Sequence, residues 1–185
     1  MPVEALSDQE LISMCIQGKD QGYTLLYQKY ARNIYNSISR LIAHTAEAED
    51  ILQETFFSAF SNPERLKGIL SFEAWVRRMA INRSISHLRK KKILFSEMGD
   101  MEPEATADYD VRADELFDCR VEDVRKSIEG LSTGYKTILN LYLFEKVTQE
   151  EIAMMLGISP ATVRTQYHRA KKRILLSLKD KAYYE

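Results

Sequence analysis

Thr148-Gln149-Glu150-Glu151-Ile152-Ala153-Met154-Met155-Leu156-Gly157-Ile158-Ser159-Pro160-Ala161-Thr162-Val163-Arg164 is the stretch that decides the fold. Thr148 followed by Glu151 is a capping box, in which the hydroxyl accepts the Glu151 amide and the carboxylate reaches back. The spacing predicts a short helix bearing Ile152, Ala153 and Leu156. Gly157 can take the left-handed conformation that closes a helix. Ser159 caps a second helix, and Pro160 stands at its first position, where a missing N–H costs nothing. Two helices joined by Gly157-Ile158-Ser159, with small Ala153 at their crossing, form a helix-turn-helix.

The second of these helices has two faces. Val163, Tyr167, Ala170 and Ile174 form the expected inward stripe. Arg164, Thr165, His168, Arg169 and Lys172 lie on or beside the outward face. A helix that leads with Arg, Thr and His fits a major groove. Arg bonds guanine edges or phosphates, and Thr and His bond or pack. The later lysines meet phosphates, which makes binding salt-dependent. A helical hairpin with a solvated basic face shares this periodicity, but the cap, the Gly turn, the Ser-Pro start and the basic face together favour DNA binding.

The rest of the chain is also helical in pattern. Upstream of the motif, Arg120 to Glu129 and Lys136 to Phe144 read as two helices. At the other end, Ser7-Asp8-Gln9-Glu10 is a capping box opening a short helix that ends near Gly18. Tyr23, Leu26, Tyr27, Tyr30, Ile34, Ile38 and Leu41 recur at helical spacing. Thr45 to Ser61 is a third helix with Ala48, Leu52, Thr55, Phe56 and Ala59 inside, ended by Asn62-Pro63. A loop from Pro63 to Ser71 contains Gly68, and Phe72 to Lys92 forms one helix. No useful β-alternation is present. With 45% hydrophobic residues, 7 Gly and 4 Pro in 185 residues, the fold class is all-α.

Between these helical regions the chemistry changes. Phe95 to Asp118 contains Pro103 and carries Glu97, Asp100, Glu102, Glu104, Asp108 and Asp110 among its acids, and it reads as a flexible acidic linker. The expected domains are 1–94 and 119–185, with the linker at 95–118. A net charge of −1 thus hides an acidic block between two basic runs, one around Arg77, Arg78, Arg83 and Arg89 to Lys92, the other from Arg164 to Lys181. Cys15 and Cys119 share no metal or disulfide spacing and read as free buried thiols of a reducing cytosol. No apolar run is long enough to span a bilayer, and no signal-peptide pattern is visible.

Two further strips carry chemistry. Glu47, Asp50, Glu54 and Ser61 lie along one outward line of the third helix, with Gln53 beside it and Phe57 as a nearby apolar anchor. Arg78, Asn82, Ser86 and Arg89 line one face of the Phe72 helix, where Arg can hold phosphate and Asn can read a base edge. Trp75 reads as core with Phe72, Val76 and Met79, or as a stacking platform for a base. His44, His87 and His168 read as isolated, and no metal pair, phosphate loop or catalytic triad stands out. A stand-alone repressor or response regulator shares the helix-turn-helix, but no receiver strands with strand-end aspartates are legible.

The C-terminal motif, with Leu139-x-Leu141-Tyr142 before it and His168-Arg169-Ala170 after it, resembles domain four of the extracytoplasmic-function (ECF) sigma factors. Ala48-Glu49-Asp50-Ile51-Leu52-Gln53-Glu54-Thr55-Phe56 resembles the core-polymerase-binding segment of sigma domain two. Phe72-Glu73-Ala74-Trp75-Val76-Arg77-Arg78-Met79-Ala80-Ile81-Asn82-Arg83 resembles the family's minus-ten recognition helix. Pro160-Ala161 replace a more usual small residue and Gly, and Gln166 stands where a basic residue is common.

The resemblance implies a cytoplasmic initiation factor with no catalysis, cofactor, metal or small-molecule substrate. It implies that Asp50, Gln53, Glu54 and Phe57 dock on the β′ clamp helices of core RNA polymerase. Lys67, Arg78, Asn82 and Arg89 would meet minus-ten DNA, with the loop Arg65 to Ser71 receiving a flipped base. Arg164, Thr165, His168, Arg169 and Lys172 would read the minus-thirty-five element, and domain four would touch the β flap. The linker would run through polymerase, and a separate anti-sigma factor would hold the protein in check.

Overall fold

Every regular element in the computed structural model, which describes residues 6–91 and 121–182, is helical. The chain divides into two units, 1–87 and 88–185, with the break in the last turn of a helix. The expected domain bounds and the acidic linker between them lie outside the described residues, as does Cys119.

In the first unit, α1 (Asp8–Ile16) opens as expected. The Ser7 hydroxyl accepts from the Glu10 N–H at 3.4 Å, and the Glu10 carboxylate accepts from the Ser7 N–H at 2.8 Å. Leu11, Ile12 and Cys15 face inward. A long helix, α2 (Asp20–Ser39), meets α1 at Gly22, where backbone approaches backbone. Asp8 fastens the pair, accepting from the Tyr30 hydroxyl at 2.6 Å and from Lys29 at 2.7 Å.

The inner stripe of α2 is narrower than its periodicity predicts. Leu26, Tyr30, Ile34 and Ile38 are buried at four-residue spacing. Tyr23 and Tyr27 hold the rim instead, where their rings meet Phe60 and Phe56 edge-on at 5.1 and 4.8 Å between centroids. On α3 (Thr45–Phe60), Ala48, Leu52, Thr55, Phe56 and Ala59 are all buried, and the Thr55 hydroxyl is satisfied by the Ile51 carbonyl at 2.6 Å. Phe60 stacks at 6.0 Å on Phe72, the first residue of α4 (Phe72–Lys90), and Phe72 in turn meets Tyr30 at 5.7 Å. Each such aromatic pair adds about 0.5–1.5 kcal/mol beyond its buried area, so this chain of rings ties three helices together.

The expected loop before α4 contains one 3-10 turn, Pro63–Leu66, capped by the Asn62 side chain, which accepts from the Glu64 N–H at 3.1 Å. Leu66 is fully buried and anchors it. Gly68 then reverses the chain with φ +78°. Gln9 of α1 donates to the Ile69 carbonyl at 3.0 Å, so the loop is held from both sides.

The second unit comprises α5 (Val121–Glu129), α6 (Thr133–Leu143), α7 (Gln149–Leu156) and α8 (Pro160–Ala182). All three shorter helices pack on α8. Leu131, Tyr135, Leu139 and Ala170 form one core cluster, with Ile128 and Ile174 against it. Helix α6 starts at Thr133 rather than Lys136, because Gly134 is buried in its first turn instead of breaking it. The helix-turn-helix forms as its sequence dictates. The Thr148 hydroxyl accepts from the Glu151 N–H at 3.2 Å. Gly157 is left-handed at φ 69°, and the Ser159 hydroxyl accepts from the Thr162 N–H at 3.0 Å. Ala153 is buried at the crossing.

Candidate protein and nucleic-acid interfaces

Burying one stripe of each helix leaves three outward surfaces. The first lies on α3. Asp50, Gln53, Glu54 and Phe57 are exposed, and Phe57 shows 77% of its surface. Here an exposed aromatic ring stands beside three polar groups on the outward side of α3. The expected strip is shorter at both ends. Glu47 is half-buried and meets His87 of α4 at 2.8 Å, so His87 is not isolated as its sequence position suggests. The Ser61 hydroxyl is spent on the Phe57 carbonyl at 2.6 Å. Glu54 lies within 3.1 Å of the Arg83 guanidinium, which also donates to the Ser58 hydroxyl.

The second surface joins α4 to the loop before it. Arg78, Asn82 and Ser86 are exposed along one line, and Arg89 is half-buried in the last turn. Arg77 pairs with Glu73 one turn back. Lys67 is exposed and pairs with Glu64 at 2.5 Å. Trp75 is half-buried, 6.0 Å from the Phe72 ring, between its two sequence readings. Leu70 is 97% exposed at the loop's end, which no sequence signal announced, because a loop has no periodicity to say which way a side chain points.

The third surface is the outer face of α8. Arg164, His168 and Lys172 are exposed, while Thr165 and Arg169 are half-buried. The Thr165 hydroxyl donates to the Ala161 carbonyl at 3.0 Å. One inward position is corrected: Gln166, 4% exposed, takes the place in the core given above to Tyr167. A 3.6-residue period admits either neighbour. Tyr167 instead stands half-buried between the Tyr142 ring at 4.8 Å and Lys171 at 5.9 Å. Desolvation, with Tyr142 beside it, pushes the Tyr167 phenol above its ordinary pKa, so it stays neutral. Met154 is 73% exposed and Phe144 48%. Met154 was legible: Ile152 to Leu156 is an unbroken apolar run, and a helix cannot bury all of one.

Among the described residues, no cluster of His, Cys, Asp or Glu is placed to hold a metal, and no helix is long and apolar enough to cross a membrane. The surfaces suit macromolecules: one mixed acidic-apolar, two basic.

Comparison with known proteins agrees. The Sigma-70 region 2 family matches residues 26–93 and the Sigma-70, region 4 family matches residues 122–174. RNA polymerase sigma-H factor of Pseudomonas aeruginosa is 30% identical over 176 residues, covering 90% of this chain and 91% of that protein. The ECF RNA polymerase sigma factor SigW of Bacillus subtilis is 27% identical over 173 residues, covering 89% and 92%. The fold is also that of the sigma factor RpoE from Bartonella quintana, solved with the anti-sigma factor NepR, at a TM-score of 0.52 and 18% identity over 85% of this chain and 96% of that one. Two family regions in their proper order, on the two helical units, leave one conclusion: this chain belongs to the ECF RNA polymerase sigma factors, which bind core polymerase and direct promoter-specific initiation of transcription without catalysis of their own.

Proposed function

We propose that the three surfaces divide the work of initiation in the cytoplasm. On α3, Asp50, Gln53, Glu54 and Phe57 dock on the β′ clamp helices, Phe57 filling an apolar pocket and the acids meeting basic groups. On α4, Arg78, Asn82 and Arg89, with Lys67 on the preceding loop, hold the opened minus-ten strand. On α8, Arg164, Thr165, His168, Arg169 and Lys172 read the minus-thirty-five element in the major groove, while the second unit also rests on the β flap. Domain bounds at 94/95 and 118/119 and passage of the acidic linker through polymerase belong to the same reading. The observation that carries it is Phe57, 77% exposed among Asp50, Gln53 and Glu54 on a helix whose other face is fully buried.

The test is transcription in vitro with purified core enzyme and sequencing of the transcripts that arise only when this protein is added. Specific starts are expected. Phe57→Ala should weaken core binding by roughly tenfold or more, the cost of truncating a central aromatic anchor, with the melting temperature unchanged. Wild-type protein that yields no specific start, or F57A protein that binds core normally, overturns the reading. A second reading concerns regulation. Phe57 is exposed on the first unit and Phe144 and Met154 on the second, and an anti-sigma factor that holds the protein in the resting cell would cover apolar side chains such as these. Its test is a search for a partner that co-purifies with wild-type protein and is lost from F57A or Met154→Asp protein.

A further inference from the structure

Arg83 is a cation of α4 that the promoter surface does not use. It lies about 100° around the helix from Asn82, turned toward α3. There its guanidinium bonds the Glu54 carboxylate at 3.1 Å and the Ser58 hydroxyl, and only a third of the side chain is exposed. Glu54 is itself 66% exposed, so a partner can reach it. One carboxylate therefore serves two surfaces: the acidic-apolar face of α3 and the basic side of α4. On the reading given under Proposed function, that carboxylate is claimed by polymerase.

From this shared carboxylate we infer that Arg83 is a latent DNA contact, masked by Glu54 in the free protein and released when core polymerase takes Glu54. The physical basis is reciprocity. A basic group of the partner that draws Glu54 away leaves Arg83 with a neutral hydroxyl alone, and a long flexible cation then gains more by meeting a backbone phosphate. Linkage requires the converse: single-stranded DNA held by Arg83 frees Glu54 and tightens binding to polymerase by the same factor. The pair is partly exposed, so its own contribution to stability is small. That suits a contact meant to exchange rather than to brace.

The inference rests on α3 as the polymerase face and α4 as the DNA face, and its test separates the two. Affinity of the full chain for a fluorescein-labelled single-stranded DNA of mixed sequence is measured by anisotropy across a range of salt. Wild type, Glu54→Gln, Arg83→Gln, the double variant and Asn82→Ala/Arg78→Ala are compared. Glu54→Gln keeps the shape and removes the charge. It is expected to bind the free probe roughly three- to tenfold more tightly at low salt, with a log–log slope steeper by about 0.7, the value of one added phosphate contact on a single strand. Arg83→Gln alone should leave free-protein binding unchanged, and the double variant should lose the gain. With core enzyme present, Arg83→Gln should weaken probe binding severalfold. If the double variant keeps the gain, the effect is simple removal of a repelling acid and the masking idea is wrong. It is equally wrong if Glu54→Gln binds like wild type while Asn82→Ala/Arg78→Ala loses binding. If Asn82→Ala/Arg78→Ala binds normally, α4 is not the DNA face, and the underlying reading falls with the inference.

Discussion

Gly22→Ala probes the α1–α2 crossing with one methyl group. A Cβ there would lie 2.8 Å from the Met14 Cβ and 2.9 Å from both the Cys15 nitrogen and the Leu11 carbonyl oxygen, against an ordinary contact of 3.4 Å or more. None of these atoms ends a flexible side chain, so relief requires α1 to move as a body. That movement disturbs the packing of Leu11, Ile12 and Cys15 and strains the Asp8–Tyr30 and Gln9–Ile69 bonds. Overpacking of this kind costs about 1–3 kcal/mol. Alanine recovers at most about 1 kcal/mol of helix propensity, and less in a first turn. The net expectation is a loss of about 1–2 kcal/mol, or a fall in melting temperature of roughly 4–16 °C for a unit of this size. The assay is thermal and urea unfolding by circular dichroism. Gly18→Ala is the control: Gly18 has φ +73° and nothing within 4 Å, so its cost is backbone strain alone and α1 stays in place. A Gly22→Ala protein as stable as wild type would refute the close approach of the two helices.

Four other outcomes follow from three single groups. Burial pushes the Cys15 thiol up to about 11, so in a Cys119→Ser background it should resist a disulfide reagent at pH 8 until the unit unfolds. Because the folded state holds that proton longer, stability should also decline above pH 9, where the unfolded thiol ionises. Burial would raise the Asp8 carboxyl, but hydrogen bonds from Lys29 and Tyr30 and the Lys29 charge outweigh it and hold the group below its ordinary 3.8. Its stabilisation is therefore present above pH 3.8 and lost as the pH falls through the folded value, and acid titration of Asp8→Asn should lack this component. Gly157→Ala should cost the second unit about 1–2 kcal/mol in urea unfolding, since a side chain there meets left-handed backbone at φ 69°.

The helices were legible because their signals are local. Capping boxes at Ser7 and Thr148, the left-handed Gly157 and the Ser159 cap depend on neighbours within a turn, and each formed as its sequence required. Burial of Ala48, Leu52, Thr55, Phe56 and Ala59 followed from period alone. What was not legible is cross-helix pairing. Nothing in the sequence joins His87 to Glu47 or Arg83 to Glu54, because partners this far apart in the chain meet only once tertiary packing fixes the rotation of α3 against α4. The same limit hid the exchange of Tyr167 for Gln166: adjacent residues differ by 100° on a helix, and Tyr167 meets the Tyr142 ring at the rim while Gln166 turns inward. Leu70 was invisible for a third reason, since its exposure follows from Gly68 and Gln9 fixing the loop around it.

If α8 reads the minus-thirty-five element as proposed, its outer face also limits how this protein selects promoters. With Gln166 buried and the Thr165 hydroxyl bonded to the Ala161 carbonyl, Arg164, His168 and Lys172 are exposed one turn apart along a single line, with Lys171 and Arg173 exposed beside it. Arg164 and Lys172 so placed follow a phosphate backbone well but read few bases, and one bidentate Arg–guanine pair discriminates by only about 1–3 kcal/mol. Selection among many genomic sites needs several times that. On the proposed reading the remainder comes from α4 and its loop, and from having both units on one chain, where binding of the first raises the effective concentration of the second. A defect in either unit would then reduce promoter choice multiplicatively rather than by a share. The Glu54–Arg83 exchange adds a condition to that product, because the α4 contribution reaches full strength only on polymerase. Free protein would sample DNA weakly and without commitment, which keeps a small basic-faced factor available for the enzyme it serves.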